Sequence, residues 1–100
     1  APFASLIGAE YITPDKIGQV LNQTDIIIYA LSMEIGQIQK ANLRGKILLE
    51  ANYASPNLSN SGAKIYIDGR YWLYNQAIPA FRLFTGEEPL TAPMKEVMGL

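Results

Sequence analysis

The apolar residues of this chain change period several times, and those changes divide it into elements. Gly8-Ala9-Glu10-Tyr11-Ile12 reads as a short extended stretch. Thr13-Pro14-Asp15 then supplies an N-cap residue, a proline suited to the first helical position and a first-turn acid, which predicts a helix from Pro14. Ile17, Val20 and Leu21 recur at helical spacing on one side of it, with Asn22 as its expected stop. Asp25 to Ala30 is an unbroken run rich in β-branched residues, the pattern of a parallel strand covered on both faces. Ser32 is the expected cap of the next helix. Ile35, Ile38 and Ala41 mark its inner side, and it ends near Arg44-Gly45, where glycine suits a left-handed stop.

Lys46 to Ala51 repeats the buried-strand pattern, Ser55 to Gly62 has the composition of a loop, and Ala63 to Asp68 predicts a last strand. Beyond Gly69 lies the longest helical segment, in which Leu73, Ala77, Ala80, Phe81 and Phe84 recur at steps of three and four until Thr85-Gly86. Pro79 inside it predicts a kink or a break, because proline lacks an amide donor and crowds the preceding turn. Thr91-Ala92-Pro93 opens a final helix carrying Met94, Val97 and Met98. Strands alternating with helices predict an α/β domain with a mostly parallel sheet, and right-handed crossovers then place helices on both faces.

Composition narrows the chemistry. Hydrophobic residues make up 49% of the 100 residues and charged ones 17%, enough apolar content for a core. No apolar run approaches the ~18 residues of a membrane helix. Eight Lys plus Arg stand against nine Asp plus Glu without clustering, so neither nucleic acid nor an anionic membrane surface is an expected partner. Cys and His are both absent, which excludes thiol nucleophiles, imidazole bases and the usual zinc sets within this chain. Asp15, Glu34, Glu50, Asp68 and the pair Glu87-Glu88 are scattered carboxylates, expected as helix caps or solvated surface. The start, Ala1-Pro2-Phe3-Ala4, has no signal-peptide pattern and reads like the interior of a longer cytoplasmic protein.

The segment Ile67-Asp68-Gly69-Arg70-Tyr71-Trp72-Leu73-Tyr74-Asn75-Gln76-Ala77, followed by Phe81 to Pro89, resembles the C-terminal signature of the shikimate dehydrogenase family. Gly69, Leu73, Gln76, Ala77, Phe81, Thr85 and Gly86 match that signature, and Trp72 replaces its usual methionine. Asp25 to Ala30 looks like the family's fourth sheet strand, and Glu50-Ala51-Asn52-Tyr53 looks like its Asp-x-x-Tyr element with Glu for Asp. The resemblance implies the C-terminal portion of a Rossmann-like, NADP-binding domain. It also implies that the phosphate-binding glycine loop and the catalytic Lys and Asp lie upstream of this chain, which alone would be inactive. Where the family has a Thr-Pro-x-Gly-Met-like turn, this chain reads Leu31-Ser32-Met33-Glu34-Ile35-Gly36, without the proline.

By resemblance, Ala30, Leu31, Ser32, Gly69 and Trp72 line the cofactor, whereas Tyr53 and Gln76 face a shikimate-like hydroxy acid. An amide such as Gln76 can donate to and accept from one hydroxyl, and a bare Gly69 between strand and helix allows close approach of a ring. The competing readings are an exposed helix glutamine, a tight turn at Gly69, a core or interface indole at Trp72 and a strand-end aromatic at Tyr53. For the whole protein the alternative is a noncatalytic relative that keeps the fold as a binding or assembly module. A homodimer is expected, because in a sheet of order 3-2-1-4-5-6 the strand Asp25 to Ala30 would lack its inner neighbour. Its free edge would pair with another chain or with Gly8 to Ile12.

Overall fold

A computed structural model of the chain describes residues 2–100. Helix α1 spans Pro2–Leu6; a 3-10 turn, Pro14–Lys16, leads into α2, Ile17–Leu21. Strand β1, Ile26–Tyr29, is followed by α3, Gly36–Gln39, then β2, Ile47–Glu50, and β3, Ile65–Ile67. Helices α4, Gly69–Thr85, and α5, Thr91–Met98, complete the chain. The three strands form one all-parallel sheet in the order β1-β2-β3, in which Ile26, Ile47 and Ile65 lie side by side, as do Ile28, Leu49 and Ile67. This is an α/β arrangement with helices flanking a parallel sheet.

The local signals act where the sequence places them. Pro14 sits at the first position of its turn after an extended Thr13, although the Thr13 side chain makes no capping bond. Gly86 closes α4 in the left-handed conformation, its amide donating to the Arg82 carbonyl. Pro79 does not break α4: it lies inside a continuous helix, with one fewer backbone donor. Two expectations fail. Gly8 to Ile12 forms no strand, since a lone extended stretch gains nothing without a partner, and Gly8 instead takes a positive φ as the stop of α1. Ser32 does not cap α3, which begins four residues later behind Ile35, because the chain first turns back so that the Tyr29 hydroxyl donates to the Met33 carbonyl.

The core lies on one face of the sheet. Leu21 of α2, Ile38 of α3, Leu43 and Leu58 pack with Ile27, Tyr29 and Leu48, with Ile17, Ile35 and Ala41 at its margin. The sequence pattern predicts strands covered on both faces, and the structure differs. Ile26 and Ile28 are 62% and 61% exposed, because among the described residues no helix lies over that side of β1. Helices α4 and α5 pack on each other and leave Leu83, Phe84, Leu90 and Val97 in solvent. The radius of gyration of 16.2 Å accordingly exceeds the ~13 Å of a compact 100-residue domain.

Candidate functional site

All three strands point their carboxyl ends the same way, so the segments that follow them share one edge of the sheet. Ligands of open α/β sheets bind at that edge. Ala30-Leu31-Ser32 follows β1, Asn52-Tyr53 follows β2, and Asp68-Gly69 joins β3 to α4. These are the segments that carry most of the expected binding residues.

Glu50 organises the centre of this edge. It ends β2 on the covered face, and no part of it is exposed. Its carboxylate accepts the Asn57 amide at 2.7 Å, the Leu58 amide at 3.1 Å and the Tyr66 hydroxyl at 2.7 Å. A buried carboxylate is costly unless its oxygens are satisfied, and here three donors converge on it. The expectation of a solvated Glu50 is therefore overturned. The side chain ties the 52–62 loop to β2 and β3, and Asn52 closes the loop's first turn through Ser55. Burial and the Glu50 hydrogen bond push the Tyr66 hydroxyl well above the ordinary phenol range. Burial, then the charges of Glu50 and Glu34, raise Tyr29 likewise.

Asp68 meets the expectation of a cap. Its side chain accepts the Arg70 amide at 2.9 Å at the start of α4. The same carboxylate pairs with the Arg70 guanidinium at 3.0 Å, and this hydrogen-bonded partner holds Asp68 below its usual range. Arg70 also donates to the Met98 and Gly99 carbonyls, so one cation joins the start of α4 to the last carbonyls of α5, where positive charge is favoured. Glu88 pairs with Arg82 at 2.9 Å on the surface.

Gly69 is buried against the chain's own backbone. A Cβ there would lie 2.5 Å from the Ala51 carbonyl oxygen and 2.6 Å from the Tyr53 nitrogen. The missing side chain thus lets α4 start against the end of β2, which holds Tyr53 beside the β3–α4 turn. Trp72 and Gln76 project from the first turns of α4 into a cavity of about 730 Å³ between that helix and the second face of the sheet. Leu49, Ile67 and Tyr71 give it apolar walls, and Asn75 also lines it, its amide donating to the Tyr71 carbonyl at 2.8 Å. Tyr53 faces a smaller cavity of about 230 Å³ with Asn52, Ser59, Asp68 and Arg70. Tyr66 lies in the wall of both. The structure thus unites Trp72 with Gln76 and places Tyr53 next door. Ala30, Leu31 and Ser32 stand exposed at the end of β1 and line neither cavity.

Tyr66, Arg70 and Asn75 are members of this edge that sequence patterns did not single out, and Glu50 was named only as the glutamate of the Asp-x-x-Tyr-like element and as a cap or surface carboxylate. One signal for Glu50 exists: a lone glutamate closes the apolar run Ile47-Leu48-Leu49 just before a loop rich in Asn and Ser. Among the described residues no three acidic, His or Cys side chains gather as metal ligands, and no helix is long and apolar enough to cross a membrane. The chain matches no family model, no curated protein and no solved structure.

Proposed function

We propose that the chain is the nicotinamide-side part of a Rossmann-like domain in an NADP-dependent oxidoreductase of the shikimate dehydrogenase type. The observation that carries this reading is the shared cavity of Trp72 and Gln76 at the carboxyl edge of a parallel sheet. The indole of Trp72 offers a flat apolar wall for a planar ring. The Gln76 amide offers donor and acceptor to a substrate hydroxyl. NADP, when bound, supplies or takes up the hydride exchanged with the alcohol carbon of a shikimate-like hydroxy acid. The chain's own residues orient substrate and ring, and by resemblance a Lys and an Asp outside it move the proton.

The test is made on the complete polypeptide that carries this segment, assayed for NADPH-dependent reduction of 3-dehydroshikimate. Gln76 is exposed in the single chain; Gln76→Ala is expected to weaken shikimate binding by about 1 to 3 kcal/mol, the cost of losing a hydrogen bond that bound substrate would bury, and to affect NADP binding less. The converse pattern, or no turnover by the unaltered protein, defeats the reading. A noncatalytic assembly module is the second reading, and the bare apolar face at Ile26, Ile28 and Ile65 favours it. An upstream glycine loop with a catalytic Lys and Asp separates enzyme from module.

A further inference from the structure

The two cavities at the carboxyl edge differ in charge. Asp68 and Arg70 line the smaller one and pair with each other at 3.0 Å. The larger, of about 730 Å³, has no carboxylate, ammonium or guanidinium in its lining. Its walls are aliphatic and aromatic, with Leu49 and Ile67 from the sheet and Tyr71 and Trp72 from α4. Two of its polar groups are already engaged: the Tyr66 hydroxyl donates to Glu50, and the Asn75 amide donates to the Tyr71 carbonyl. Gln76, exposed on the same helix, brings a donor and an acceptor that carry no net charge.

Contacts at the start of α4 set the width of this cavity. Gly69 packs so closely on the end of β2 that a Cβ would lie 2.5 Å from the Ala51 carbonyl oxygen, and Arg70 bonds the Met98 and Gly99 carbonyls at the end of α5. The first turn of α4 is thereby fixed against the sheet. The space beyond it falls in the upper half of the ~300 to 1,000 Å³ range of small-molecule sites, more than a single six-membered ring fills. Water there meets few polar partners, so a flat apolar ring system displaces it favourably. An ionised ligand loses hydration and gains no counter-charge. A hydroxyl, which both donates and accepts, matches the Gln76 amide.

We infer that the larger cavity is a binding site for an uncharged aromatic compound of two or more fused rings bearing one hydroxyl, and that it discriminates against carboxylates of the same rings. The inference shares its cavity with the proposed oxidoreductase site but needs neither a dinucleotide nor a hydroxy acid. It also constrains that reading: the carboxylate of the acid and the phosphates of the dinucleotide are held by groups beyond this cavity.

Trp72 is the single tryptophan of the chain, so its indole N–H gives one resolved signal in a nitrogen–proton correlation spectrum. Titrating the 100-residue chain with 2-naphthol is expected to shift that signal and the Gln76 side-chain amide saturably. Smaller shifts are expected at Ile28 and Phe84, which lie on other exposed apolar surfaces. 2-Naphthoate is expected to bind at least about 10-fold more weakly, because its buried charge finds no cation. Gln76 is exposed, so Gln76→Leu keeps the fold; it is expected to weaken 2-naphthol about 3- to 10-fold, the range of one net hydrogen bond, and naphthalene not at all. Three results overturn the inference: no saturable shift at Trp72, 2-naphthoate binding as tightly as 2-naphthol, or an unchanged affinity of Gln76→Leu for 2-naphthol. Each is read without cofactor or turnover, so a failure here leaves the oxidoreductase reading standing, and a failed turnover assay leaves this inference standing.

Discussion

Ile27 and Ile28 are adjacent and chemically identical, yet one is 9% exposed and the other 61%. The first points toward α2, α3 and the 52–62 loop; the second points to the other face, which among the described residues no helix covers at β1. Successive strand side chains face opposite ways, so what differs is the layer available to each face and not the residue. A run of β-branched residues therefore states that two covers are needed. It cannot state that the chain at hand provides both. The covered face also tolerates a buried carboxylate, because the loop that closes it brings backbone donors to Glu50.

The largest effect should come from the polar centre of that covered face. Glu50→Leu removes the acceptor of two backbone amides and of the Tyr66 hydroxyl, each of which would cost about 1 to 3 kcal/mol if left unsatisfied. The expected loss is about 3 kcal/mol or more in urea denaturation, with faster exchange of the Asn57 and Leu58 amides. A variant as stable as the parent would show that the loop is held by Leu58 and its apolar neighbours alone.

Ile27 and Ile28 test the two faces of β1 directly. Ile27→Ala opens a cavity in the core and should destabilise by about 2 to 4 kcal/mol, whereas Ile28→Ala, at a site facing solvent in the single chain, should change it by less than ~0.5 kcal/mol. Denaturation at concentrations low enough to separate any dimer isolates these values. Equal losses at the two sites would mean that both faces are covered in solution.

Much of this fold was legible because its signals are local. The strand cores at Ile26–Tyr29, Ile47–Glu50 and Ile65–Ile67, the proline start at Pro14 and the glycine stop at Gly86 each depend on residues within one turn or one strand. Gly8 to Ile12 has the residues of an extended stretch but forms no strand, because a strand exists only through its neighbour. Ser32 has a capping side chain but caps no helix, because the Tyr29 hydroxyl bonds the Met33 carbonyl and α3 starts only after Ile35. At the carboxyl edge, strand ends located Tyr53 and Gly69. The convergence on Glu50 was invisible, because two of its three donors are backbone amides that carry no sequence mark.

The smallest expected effect contrasts Glu50 with the other carboxylate that accepts backbone N–H at this edge. Asp68 caps α4 while its side chain remains 28% exposed, and Arg70 holds its carboxyl below the ordinary aspartate range. Because the folded value is depressed, its stabilising contribution is fully present above the unfolded value of about 4 and is lost as pH falls through the folded value. Asp68→Asn keeps an acceptor for the Arg70 amide and removes only the charge, so it separates capping from ion pairing. Urea denaturation of the two proteins should differ by less than ~1 kcal/mol between pH 5 and 7, as expected for a solvent-screened pair. That difference should shrink steadily below pH 4, because the protonated aspartate then resembles the amide. If it stays constant down to pH 2, the charge on Asp68 contributes nothing, and α4 is held at its start by the cap and by the fit of Gly69 against Ala51.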